Sequence, residues 1–79
     1  MTYTDSEFGQ DLLAQLAQGY DPRRIANWAY ALFMDASRRD RSREVHDALV
    51  DLFTMEEGPE FHISEEELRA KAHSFIAEK

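Results

Sequence analysis

Carboxylates are the side chains most available for chemistry in this chain. Between Glu44 and Glu67 stand nine acids, namely Glu44, Asp47, Asp51, Glu56, Glu57, Glu60, Glu65, Glu66 and Glu67, with no Lys or Arg among them. Directly upstream, Arg38, Arg39, Arg41 and Arg43 fall within six positions, interrupted by Asp40 alone among acids. Paired carboxylates can act as acid and base, ligate a metal, or steer a cationic partner. Metal chemistry finds no support in the spacing. There is no cysteine, and His46, His62 and His73 form neither an H-E-x-x-H run nor the Glu-x-x-His pairs of a di-metal helical bundle. His46 and Asp47 are neighbours in sequence, but adjacent helical residues point about 100° apart and do not make an oriented pair. No glycine-rich phosphate loop occurs, and Ser6, Ser37, Ser42, Ser64 and Ser74 lack a nucleophile motif. What remains is electrostatics, and the expectation is a non-enzymatic chain without metal or cofactor.

The elements that would carry these charges are read from caps and periodicity. Thr4 with Glu7 three residues later forms a capping box, followed by Phe8, Leu12, Leu13 and Leu16 at helical spacing, with Gly19 as the stop. Asp21 and Pro22 open a second helix, in which Ile25, Trp28, Ala29, Leu32, Phe33 and Ala36 recur every three or four residues. A third is expected from about Ser42 to about Met55, carrying Val45, Ala48, Leu49, Leu52 and Phe53 and ended by Gly58-Pro59. Ser64 and Glu67 begin the fourth, with Ile63 and Leu68 as a hydrophobic staple and Leu68, Ala72, Phe75 and Ile76 as its stripe. The pattern predicts an all-α, compact four-helix single domain over residues 1–79. Its core is expected from Phe8, Leu12, Leu16, Ile25, Trp28, Leu32, Val45, Leu49, Leu52, Leu68, Phe75 and Ile76, with Trp28 as the anchor from helix 2.

Two surfaces follow from that frame. Glu44, Asp47 and Asp51 recur at i, i+3 and i+7 away from the stripe of helix 3, and Glu56, Glu57 and Glu60 are expected to continue this ridge into the next loop. The three glutamates after Ser64 suit a helix N-terminus, and the arginines suit the C-terminus of helix 2. A ridge of this kind is either an ordinary solvated face or a docking surface for a basic protein. Helix 2 is apolar around most of its circumference, with Ala26, Tyr30 and Met34 on a second face. It is therefore either central to the fold or covered by a second copy, so Tyr30 and Met34 are the candidate self-association residues.

The strings Asp21-Pro22-Arg23-Arg24-Ile25-Ala26-Asn27-Trp28-Ala29 and Glu57-Gly58-Pro59-Glu60-Phe61-His62-Ile63-Ser64 resemble those of small helical bacterial proteins akin to colicin-D-type and other bacteriocin immunity proteins. The Tyr-Tyr-Pro segment typical of the DNase-colicin branch is absent. The resemblance implies a compact helical domain that neutralises a toxic nuclease by presenting carboxylates to a basic active site. Here that role would fall to Glu44, Asp47, Asp51, Glu56, Glu57 and Glu60.

A net charge of -7 disfavours nucleic acid as a partner. The longest apolar stretch, Trp28 to Met34, is far short of the roughly 20 residues a bilayer requires. Residues Met1 to Glu7 show neither the basic nor the apolar region of a secretory signal, so the chain reads as cytoplasmic. The primary expectation is a protein-binding module that takes a basic protein, and the alternative is a self-associating, homodimeric helical domain.

Overall fold

A computed structural model describes residues 3–35 and 39–77. The expected stripe position Ala36 and the expected basic-cluster residue Arg38 lie outside the described residues. The chain is an all-α domain of four helices: α1 (Asp5–Ala17), α2 (Pro22–Phe33), α3 (Arg43–Phe53) and α4 (Glu65–Ala77). Two short 3₁₀ turns, Thr54–Glu57 and Pro59–Phe61, join α3 to α4.

Each helix starts where a local polar side chain can satisfy the first free N–H groups. The Glu7 N–H donates to Thr4 Oγ1 at 3.1 Å while the Thr4 N–H donates to the Glu7 carboxylate at 2.9 Å, the reciprocal box. Asp21 Oδ1 accepts from the N–H groups of Arg23 and Arg24, Ser42 Oγ from Val45, and Ser64 Oγ from Glu67. At the far end of α1, Gly19 takes φ 114°, which a side chain would make strained. The α-helical part of α3 ends at Phe53, two residues before the expected stop. Tightening into a 3₁₀ turn carries Met55 into the core, where its sulfur accepts the Ile63 N–H at 3.3 Å.

The helices pack as two antiparallel pairs. Gly9, early in α1, meets Ala72, Phe75 and Ile76, late in α4, while Tyr20 beyond the end of α1 donates its hydroxyl to the Ile63 carbonyl before the start of α4. In the second pair, Arg41 just before α3 reaches the Phe33 carbonyl at the end of α2, while Asp21, Pro22 and Arg23 at the start of α2 border Met55 and Glu56 just past α3. Between these ends Phe33 meets both His46 and Phe53, and Tyr30 meets Phe53. Phe8 ties the pairs together. Its ring stacks on Trp28 of α2 at 6.1 Å and meets Phe75 of α4 edge-on at 5.0 Å.

The expected core is correct at Phe8, Leu12, Leu16, Ile25, Leu32, Val45, Leu49, Leu52, Leu68 and Phe75, all buried. Trp28 and Ile76 are corrections: both are only half-buried. The buried stripe of α2 is Ile25, Ala26, Ala29 and Leu32, a direction turned about 30° from the expected one toward Ala26. Two alanines are buried in that direction, and the rotation moves Trp28 to the rim against Phe8. Nor does the fold enclose α2, because Tyr30 remains 51% and Met34 61% exposed. Tyr3, Ala48, Met55 and Ala72 complete the core.

Long-range polar contacts close the helix ends. The Arg24 guanidinium donates to Gln15 Oε1 at 2.6 Å, the Gln15 carbonyl at 3.0 Å and the Gly19 carbonyl at 2.5 Å, so the start of α2 caps the end of α1. Arg41 donates to the Phe33 carbonyl at 3.2 Å with its guanidinium carbon 5.1 Å from the Phe33 ring centroid, capping α2 in the same way. The N-terminal segment is held by the Tyr3 N–H on the Asp40 carbonyl at 2.8 Å and the Tyr3 hydroxyl on Asp11 at 2.5 Å. Ser42 Oγ donates to Asp5 at 2.7 Å, joining the starts of α1 and α3.

Two measurements check this packing. A Cβ at Gly9 would stand 2.6 Å from the Ala72 carbonyl oxygen and 2.7 Å from Ile76 Cγ1. Gly9→Ala should therefore destabilise the domain in urea by about 1–3 kcal/mol, despite alanine's advantage of up to about 1 kcal/mol inside a helix. A variant as stable as the parent would mean that α1 and α4 do not touch there.

The second concerns alkaline pH. Burial, and secondarily the Glu65 carboxylate, raise the Tyr20 hydroxyl above its ordinary pKa of 10.0. The folded state thus keeps this proton at a pH where the unfolded chain has released it. The contribution is fully present below the unfolded value and is lost as pH climbs through the folded one. Tyr20→Phe should cost roughly 0.5–1.5 kcal/mol at neutral pH through the lost hydrogen bond, and its urea midpoint should fall less steeply than the parent's above about pH 10. Parallel alkaline slopes for the two proteins would remove Tyr20 from the account.

Candidate docking surface

The carboxylates singled out from sequence divide according to the backbone that carries them. Glu44, Asp47 and Asp51 all lie exposed on α3. At 100° per residue they cluster about 120° from the buried stripe of Val45, Ala48, Leu49 and Leu52, on the flank away from His46 and Phe53, which meet α2. Because α3 is held along its length by that stripe, these three groups sit on a rigid support rather than on a loop. Asp47 makes a loose ion pair with Arg43 at 3.9 Å, with both side chains largely in water, a contact contributing about 0–1 kcal/mol. Among the described residues none of the other five candidates takes part in an ion pair.

Glu56, Glu57 and Glu60 are also exposed, on the 3₁₀ turns beyond Phe53. Glu56 borders a depression shared with Asp21, Pro22 and Arg23 at the start of α2, floored by Met55. The Glu60 carboxylate folds back toward Gly58, whose Cβ position lies 3.0 Å from it. Glu44, Asp47 and Asp51 thus lie along α3, and Glu56, Glu57 and Glu60 around the two 3₁₀ turns that follow it. Glu65 is engaged with Arg69 at 2.7 Å, one helical turn on, as befits an acid in a first helical turn.

The basic residues have divided roles. Arg41 is committed to capping α2. With Arg39, Ser42, Arg43, His46 and Asp47 it borders a shallow depression at the start of α3. Tyr30 and Met34, the candidate self-association residues, do stand together at the surface. Tyr30 meets Phe53 edge-on at 5.5 Å, and Phe53 meets Phe33 at 5.2 Å. Phe33 and Phe53, members of the expected stripes of helices 2 and 3, are half-buried and meet one another beside Tyr30.

No group of three or more His, Asp or Glu among the described residues is arranged to hold a metal ion. No helix among them is long and apolar enough to cross a membrane. The chain matches no protein-family model, no curated protein and no solved structure.

Proposed function

We propose that this chain is a non-enzymatic protein-binding domain that docks a basic protein, with immunity-like neutralisation of a toxic partner as its concrete form. The supporting observation is the placement of Glu44, Asp47 and Asp51 on one exposed flank of a helix whose opposite side is locked into the core. Three carboxylates over eight residues span about 10 Å of helix. That length suits a patch of several Lys or Arg side chains on a partner. Glu56, Glu57 and Glu60 supply a second contact group around the 3₁₀ turns. The net charge of -7 adds a field that draws a cationic protein from beyond contact range and raises its association rate. The likeness of the Asp21–Ala29 and Glu57–Ser64 strings to bacteriocin immunity proteins supports the same reading, since those proteins cover basic nuclease sites with acids.

Replacing Glu44, Asp47 and Asp51 together by Lys should leave helical content and melting behaviour close to the parent's, because none of the three touches the core. The parent, immobilised, should retain a basic protein from the lysate of its native host at low salt and release it as salt screens the field. The triple variant should retain it at least about tenfold less well, the loss of roughly 1.4 kcal/mol that a few desolvated charge pairs readily supply. Equal retention by parent and variant, or retention indifferent to salt, would assign these carboxylates to solvation alone.

A further inference from the structure

The turn of α2 that buries Ala26 and Ala29 leaves the chain's single tryptophan at the rim. Trp28 is half-buried, with its ring stacked on Phe8 at 6.1 Å. It also borders a cleft of about 240 Å³ between α1 and α2. Trp28, Ala31, Leu32 and Asp35 follow one another at i, i+3, i+4 and i+7, so they share one face of α2 and of the turn that ends it, and Asp11 closes the cleft from α1. Tryptophan is among the side chains that most often carry binding energy at protein contacts. The walls around this one select what it can bind.

Two of the bordering residues are acids, Asp11 and Asp35, both half-buried, and among the described residues none at the cleft is basic. The Tyr3 hydroxyl donates to Asp11 Oδ2 at 2.5 Å, which fixes the carboxylate in place and, being neutral, leaves its charge uncancelled. Arg24, one turn before Trp28, is held on the Gln15 and Gly19 carbonyls, and Arg41 on the Phe33 carbonyl. An anionic ligand would be repelled by both acids. A wholly apolar one would strip water from carboxylates and offer them no hydrogen bond. A cation on an apolar stem meets each wall: its stem lies along Trp28 and Leu32, and its head gains from the indole ring as well as from the carboxylates. Guanidinium suits the site better than ammonium, because its plane stacks on an aromatic ring while its N–H fork reaches a carboxylate.

We propose that this cleft receives an arginine side chain of a partner protein, with Trp28 as its platform and Asp11 and Asp35 as its counter-charges. The site is separate from the flank of α3 that carries Glu44, Asp47 and Asp51 and does not depend on it. N-acetyl-arginine amide, added to the full chain at constant ionic strength, tests the proposal through the indole N–H proton resonance, which a single tryptophan makes unambiguous. The resonance should shift saturably in the millimolar range expected of one side chain. N-acetyl-citrulline amide, equal in shape but uncharged, should produce no saturable shift. Asp11→Asn and Asp35→Asn should each keep the parent's circular dichroism and weaken the arginine probe by about threefold or more. Asparagine at position 11 can still accept the Tyr3 hydroxyl but carries no charge. An indole resonance that the arginine probe leaves unmoved would overturn the proposal. So would equal responses to the two probes, or aspartate variants that bind as the parent does.

Discussion

Phe8 and Gly9 sit side by side on α1 and together set the distances on which the fold depends. Phe8, wholly buried, is in ring contact with both Trp28 and Phe75 and so joins the α1–α4 pair to α2. Gly9 removes the side chain that would otherwise hold α4 away from that ring. One residue fills space and the next vacates it, and neither works without the other. Such economy matters in a chain of 79 residues, which buries only about 60–65% of its unfolded surface and has a small net stability to lose. Polar closures at the helix ends supplement the core. Arg24 and Arg41 each reach back to the carbonyls ending the preceding helix, Tyr20 links the α1–α2 turn to the start of α4, and Tyr3 secures the N-terminal segment.

These closures sort the charged residues into those the fold uses and those it does not. Glu7 and Asp21 cap helices, while Asp5 and Asp11 accept hydroxyls from Ser42 and Tyr3. The acids Glu44, Asp51, Glu56 and Glu57 have no comparable task among the described residues, and Asp47 has only a loose pair with Arg43. Carboxylates repelling one another on one side of a small domain impose a cost in stability. An acidic surface that does no structural work is thus a surface whose value must come from solubility or from a partner.

Local signals were legible in the sequence and long-range ones were not. All four helix starts could be read at Thr4, Asp21, Ser42 and Ser64, because capping is decided within four residues. The stripes of α1, α3 and α4 could be read from their leucines and phenylalanines except at their last members, since Phe53 and Ile76 are only half-buried. The phase of α2 could not, because Ala26 and Ala29 carry little hydrophobic signal while Trp28 carries a great deal. Packing there buried the small residues and left the large one at the rim. Gly9 looks like a helix weakness until α4 is beside it, and Met55 looks like a helix end until the 3₁₀ turn carries it inward. For the candidate surface, periodicity predicted the exposure of Glu44, Asp47 and Asp51 but not the 3₁₀ turns that carry Glu56, Glu57 and Glu60.

The arrangement around α3 connects the two surfaces. Its buried stripe faces the core, the His46 and Phe53 side faces α2 and the apolar strip, and the acids lie on the remaining flank. One helix therefore serves three neighbours at once, and what fixes each is the angle around its axis. The stripe of Val45, Ala48, Leu49 and Leu52 settles the phase, and that phase alone turns Glu44, Asp47 and Asp51 to solvent on a flank that contacts with α2 do not reach. A protein docked on those three acids would leave Tyr30 and Met34 uncovered.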